Sequence, residues 1–337
     1  MTMCVSVWVT NAAYLFENSF LPLGSYQFSS TALSGREPGT PSSDLGNRFR
    51  GTWAGSVPVP FPKNYLLGID HVRFEYERRY PSYLRGEFRL GGWWYYYLYA
   101  MVVKMPTGTA FLIIAAACLA MGSPVGPRDW KNSLCVLTPA VGIIMLVSSQ
   151  TGFNHHIRYV LPAFPFLFIF AAGATRLMRS KRIFLRVLPM VCLGWMAMSS
   201  LWAYPHGLSY FTELSGGSKE GWRHLDFSNV DWGQDMFLLK EWSDARPEAR
   251  PLYTNTAGIL GPEIFDIPAL TALPVPAPAT GGREQSRFLP PGWYVLSVHR
   301  MIHQRAKFGT LIEQQPKSWI GYSMRVFHLR EPFRVEP

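Results

Sequence analysis

Two histidines and an arginine directly abut a long apolar run at Phe153–Phe170, FNHHIRYVLPAFPFLFIF. A run of this kind belongs in a bilayer, which places Arg158 at or just outside the membrane surface, beside His155 and His156. A cation there can hold the phosphate of a lipid-linked substrate, or it can be an anchor that snorkels to the headgroups. Lys104, next to Pro106 in an apolar stretch, has the same two readings. Each histidine is a helper in phosphate binding or an interfacial hydrogen-bonding residue.

The acidic residues point less clearly to chemistry. Asp226, Asp231 and Asp235 in DFSNVDWGQD suggest a metal or nucleotide-sugar site, but no second ligand cluster accompanies them. The helix-start position of Asp231 favours capping instead. Glu75, Glu77 and Glu87 are surrounded by Arg73, Arg78, Arg79, Arg85 and Arg89, so charge pairing is their expected role. No Walker loop, GxGxxG or zinc spacing is present. Cys4, Cys118, Cys135 and Cys192 all fall in apolar stretches without metal-ligand spacing and read as packing residues. Neither a metal nor a cofactor is expected.

The elements that must position these residues are apolar stretches at Val5–Phe16, Trp93–Met121, Leu134–Ser149, Tyr159–Met178 and Ile183–Tyr204. The last two are long enough to span outright, and Leu134–Ser149 spans with help from its neighbours. Trp93–Met121 is interrupted by Lys104 and Pro106, and reads as an interfacial aromatic helix followed by a span from Pro106 to Met121. Val5–Phe16 resembles the end of a span more than a signal peptide, since it lacks a basic start and a small-residue cleavage site.

Orientation follows from the short loops. Arg176, Arg179, Lys181, Arg182 and Arg186 crowd one connection, and Arg128 and Lys131 mark another, so both are expected in the cytoplasm. Alternation then places Phe20–Gly92, Gln150–Arg158 and everything after Pro205 on the outer face. From Tyr204 to Pro337 there are fourteen basic and fourteen acidic residues, so the whole formal charge of +10 lies in the first 203 residues. Membrane topology accounts for that charge; no basic-aromatic nucleic-acid module is present, and nucleic acid is not an expected partner.

The expected architecture is an α-helical multi-pass membrane protein of about five spans. Residues 1–204 form the membrane domain, with an outer loop at 20–92, and residues 205–337 form a small extracytoplasmic α/β domain. Gly35–Pro62 reads as an irregular loop, and Asp70–Leu90 as a short interfacial helix. In the tail, DWGQDMFLLKEW at Asp231–Trp242 predicts a helix with an acidic start. Trp293–Val298 and Met324–Leu329 alternate as strands, with a Pro-rich linker at Leu273–Pro278 before them.

Three segments carry a resemblance. GGWWYYYLYAMVVKMPTG at Gly91–Gly108 resembles the aromatic, lysine and proline segment of GT-C glycosyltransferases, the lipid-carrier-dependent enzymes related to protein mannosyltransferases and aminoarabinose transferases. HHIRYVLPAFPF at His155–Phe166 is similar to the outer-face start of one of their spans. GLSYFTELSGGSKEGWRHLDFSNVDWGQDMFLLKEW at Gly207–Trp242 is similar to the post-membrane segment of a bacterial branch. The resemblance implies transfer of a sugar from a polyprenyl-phosphate carrier on the outer side of a bacterial inner membrane. In that reading Arg158, Lys104, His155 and His156 line the lipid phosphate, where cations stabilise the charge of the departing oxygen. The family's catalytic acid lies in a first outer loop upstream of the matched segments, so no carboxylate here takes that role by alignment. The chain is therefore expected to be a C-terminal portion, to work with a missing N-terminal half or partner chain, or not to catalyse. The alternative is a non-catalytic membrane module that binds lipid phosphate or supports a partner transferase; a transporter role fits least, because the spans hold almost no charge besides Lys104.

Overall fold

The structure is a computed structural model that describes residues 2–37, 45–122, 130–150, 152, 154–256, 261–271, 275–276 and 287–335. Arg128, the stretch 38–44 of the expected outer loop, and most of the expected linker at Leu273–Pro278 lie outside the described residues. The chain divides into two compact units.

The first unit comprises Met1–Ser82, Phe88–Trp94 and Ser148–Asn154. Its two longer helices are Thr2–Ala13 and Lys63–Glu77. The second replaces the interfacial helix expected at Asp70–Leu90: it starts earlier, ends at Glu77, and is followed by strands Pro81–Leu84 and Glu87–Leu90. Its inward acids anchor the preceding segment. Asp70, 2% exposed, accepts the Ser29 and Ser30 backbone N–H groups at 2.6 and 3.1 Å and the Ser30 hydroxyl at 2.6 Å. Glu77 accepts from Thr31 N and Ala32 N and also meets Arg73 at 3.3 Å, while Glu75 meets Arg78 at 3.9 Å. The expected arginine pairing is therefore present for Glu75 and Glu77, joined for Glu77 by a backbone-binding role that sequence does not show.

The second unit comprises Tyr83–Glu87, Tyr95–Val147 and His155–Pro337. Among the described residues three helices are long and apolar enough to cross a membrane: Trp130–Ser149, Ile157–Arg179 and Ile183–Ala203, of 20, 23 and 21 residues. At 1.5 Å per residue each exceeds or matches the roughly 30 Å hydrocarbon layer. Large apolar side chains on them stand exposed, among them Met145, Ile169, Met190 and Trp202, a surface suited to lipid rather than water. The number rises to four if Tyr96–Lys104 and Thr107–Met121 count as one span, bent by 115°. The expected interruption falls where Pro106 forces it. Met105, preceding the proline, is extended at φ −81 and ψ 130, which ends one helix as Pro106 opens the next. Thr2–Ala13, at 12 residues, is too short to cross by itself. Helix Thr107–Met121 lies directly against Ile183–Ala203: a Cβ added at Gly108 would sit 2.1 Å from the Cys192 carbonyl oxygen. A small residue at that contact lets two backbones approach, as is common between membrane helices.

The C-terminal part of this unit is a five-stranded mixed sheet in the order Leu270–Thr271, Leu252–Asn255, Gly292–Ser297, Met324–Leu329, Ser318–Ile320. The first two pairings are parallel and the last two antiparallel. The alternation read from the sequence at both central strands separates their side chains onto two faces. Val295, Met324 and Val326 pack with Met236, Leu239 and Trp242 of helix Met236–Asp244. Tyr294, Leu296, Phe327 and Leu329 face the other way onto Met301, Phe308 and Leu311.

Helix Met236–Asp244 begins five residues later than the acidic start at Asp231 suggests. Asp231 does not cap it, and Asp235, which occupies the cap position, makes no side-chain cap bond. Its carboxylate instead accepts from Ser323 Oγ at 2.7 Å, Ser323 N at 3.2 Å and Tyr322 N at 3.3 Å. The capping expected of Asp231 fails because the helix starts beyond it and its carboxylate accepts Gly233 N instead; Asp235, at the cap position, is satisfied by three donors of a distant turn.

Candidate functional site

The short segment Asp226–Trp232 gathers the sequence-predicted residues, and Asn229 is its hub. Asn229 is 1% exposed. Its amide group lies within hydrogen-bond range of His155 O at 2.7 Å, Asp226 O at 2.9 Å and Tyr96 Oη at 3.1 Å, and its side-chain oxygen accepts Ile157 N at 3.0 Å. These bonds tie the entrance of the Ile157–Arg179 helix to the segment. Lys104, at the end of helix Tyr96–Lys104, donates to the Asn229 and Leu208 carbonyls at 2.6 Å each and lies 4.5 Å from the Phe211 ring centre. Two of its three donors are thus spent on backbone, so Lys104 positions the segment.

His155 and His156 are both buried. The His155 ring stacks on Phe227 at 4.0 Å between centres, and His156 Nδ1 meets the Ser228 hydroxyl. Burial, the Arg158 charge and His155 together push the His156 imidazole down to about 3, so it is neutral at physiological pH. Arg158 differs from the other three. It is exposed, with its guanidinium 5.6 Å from the Tyr159 ring centre and 6.0 Å from that of Trp232. Among the described residues no carboxylate lies within ion-pair distance of it. Two aromatic faces hold the cation in place and leave its donors unspent.

Phe227 also contacts a cluster that the sequence does not disclose. Asp226, 1% exposed, meets His299 Nδ1 at 3.0 Å and His303 Nε2 at 2.7 Å. The Phe227 ring centre is 4.9 Å from that of His299 and 5.1 Å from that of His303. Burial alone would raise the Asp226 carboxyl; the hydrogen bonds and charge of the two imidazoles outweigh it and hold the group below its usual range. Asp231, also buried, accepts Gly233 N at 2.9 Å through one oxygen, and its other oxygen has no hydrogen-bond partner. Burial, opposed by the Gly233 N–H and reinforced by the charges of Asp235 and Asp226, raises this carboxyl to about 7. The available signal was HRMIH at His299–His303, two histidines four residues apart. Its carboxylate partner lies 73 residues upstream of His299, so no local spacing discloses it.

No family model, curated protein or solved structure matches the chain. The functional reading therefore rests on the geometry of this segment and on the resemblance of its sequence.

Proposed function

We propose that the chain works in a membrane glycosyltransferase of GT-C type, where it holds the phosphate of a polyprenyl-linked sugar on the outer face of a bacterial inner membrane. In this reading there are about five spans, Thr2–Ala13 contributing to one of them, and the domain after Pro205 faces the acceptor side. The observation that carries it is Arg158: an exposed cation at the start of a 23-residue apolar helix, braced by two aromatic rings and engaged by no carboxylate among the described residues. A guanidinium so placed offers forked donors to a phosphate at headgroup depth. His156, neutral and beside it, adds one hydrogen-bonding ring; Lys104 and His155 support the segment from behind.

A second reading, a lipid-phosphate-binding module that does not catalyse, is favoured by the state of Asp226. This buried carboxylate is engaged by His299 and His303 and is not free to act as a general base on an acceptor hydroxyl.

The test uses the full chain in lipid nanodiscs, with binding of a polyprenyl phosphate measured for the parent, Arg158→Lys and Arg158→Ala. Arg158→Ala should weaken binding by about tenfold or more, with Arg158→Lys between, as expected for loss of a charge-assisted bond. Equal affinity of Arg158→Ala and the parent would end both readings. Transfer of labelled sugar from a polyprenyl-phosphate donor then separates them: turnover supports the transferase, binding without turnover the module.

A further inference from the structure

Helix Val298–His303 starts at Ser297, whose hydroxyl accepts the Arg300 N–H at 3.2 Å. One turn of helix separates His299 from His303, so both imidazoles project from the same face. That face meets the buried Asp226 carboxylate. We infer that Asp226, His299 and His303 bind one divalent transition-metal ion of the zinc class, with a further coordination position open to water or an oxygen ligand. This inference stands without the lipid-phosphate reading.

The donor chemistry selects the class of ion. Two imidazole nitrogens and one carboxylate oxygen suit zinc and its neighbours, whereas calcium and magnesium prefer oxygen throughout. Distances agree. One atom from each residue can be chosen so that all three lie within 4.8 Å of one another. The carboxylate-to-nitrogen separations are 2.7 and 3.0 Å. A tetrahedron built on bonds of about 2.05 Å has edges of about 3.3 Å, so the two carboxylate-to-nitrogen edges need to open by only a few tenths of an ångström. The side chains of His299 and His303 are 18% and 26% exposed, which leaves an approach from solvent.

A second, independent feature points to a ligand. Asp231 is 3% exposed, and its Oδ2 has no hydrogen-bond partner. Asp231 lies five residues from Asp226 on the same short segment. A buried acceptor without a donor is uncommon, and one beside a metal site accepts a proton from a coordinated water or orients a ligand. A purely structural arrangement, two imidazole N–H groups donating to Asp226, leaves that oxygen unaccounted for.

The experiment takes the full chain in detergent micelles, stripped by chelator, and titrates it with Zn2+ by calorimetry and with Co2+ by visible absorption. One ion per chain is expected, with the intense d–d bands of Co2+ in a four-coordinate site. His303→Gln, at the solvent edge of the cluster, should weaken binding roughly tenfold or more, and Asp226→Asn at least as much. Asp231→Asn should bind with a smaller loss. Absence of binding by the parent overturns the inference, as does unchanged affinity in a folded His303→Gln chain. Circular dichroism checks the fold of each variant, and if Asp226→Asn unfolds, His303→Gln decides alone.

Discussion

The Phe227 ring stacks on His155 with 4.0 Å between centres and 17° between planes, while its backbone sits at φ 56 in the left-handed region. A single side chain thus contacts both His155 at the start of the Ile157–Arg179 helix and the two histidines that meet Asp226. The aromatic contacts are what hold an unfavourable backbone angle in place, because a non-glycine residue at positive φ costs about 1 kcal/mol or more.

That trade makes a prediction at Phe227. Phe227→Ala loses the ring contacts and keeps the strain, whereas Phe227→Gly loses the contacts and relieves it. The glycine variant should be the more stable of the two by about 1 kcal/mol, reversing the usual order of these residues. Thermal unfolding of both variants in the same detergent measures it. Alanine equal to or better than glycine would mean the backbone here is not strained.

Asn229 should be among the least replaceable residues of the segment. Asn229→Ala leaves the Ile157 N–H without its acceptor and the His155 carbonyl without its donor, both bonds at 3.0 Å or less. Loss of about 2–4 kcal/mol is expected for orphaning several buried groups at once. Asn229→Asp keeps the acceptor and removes the donors, so it should be destabilising for a different bond set and should not rescue the protein. Chemical unfolding midpoints would test this; a loss below 1 kcal/mol for the alanine variant would show that water replaces the hub.

Glycine at 321 is required twice over. Its φ is 55, and a Cβ added there would lie 2.1 Å from an Asp235 carboxylate oxygen. Gly321→Ala should therefore break the bonds from Asp235 to Tyr322 and Ser323 and destabilise the sheet domain by about 2 kcal/mol or more. Asp235→Ala should give a loss of similar size, and the double variant less than the sum, since both act through one carboxylate. Additive losses would refute that coupling.

Much of this architecture was legible. The break at Pro106 follows from proline sterics, and the two central strands from strict alternation, both local properties of the chain. The limits were set by distance in sequence. DWGQD reads as a helix start, yet Asp235 turns to Ser323, 88 residues away, because three donors wait there. Asp226 reads in the sequence as one of three acids without a second ligand cluster; the fold supplies that cluster as His299 and His303. Lys104 and Arg158 show the same limit from the other side: sequence presents two similar cations beside apolar runs. Only the fold places one on backbone carbonyls and leaves the other in the open.

His156 gives the protein an acid-sensitive entrance. Its value in the folded chain is about 3, below the roughly 6.5 of an unfolded histidine, because burial and the neighbouring Arg158 and His155 oppose its charge. Between those values the unfolded chain binds a proton that the folded chain does not, so stability falls as pH falls from about 6.5 towards about 3. The slope from this one group is at most about 1.4 kcal/mol per pH unit. In His156→Gln that contribution disappears, while the other titrating groups remain. The loss of stability between pH 7 and pH 5 should therefore be smaller in the variant than in the parent by about 1–2 kcal/mol. Unfolding midpoints of both proteins at the two pH values measure the difference, and parallel curves would mean that His156 takes up a proton in the folded chain.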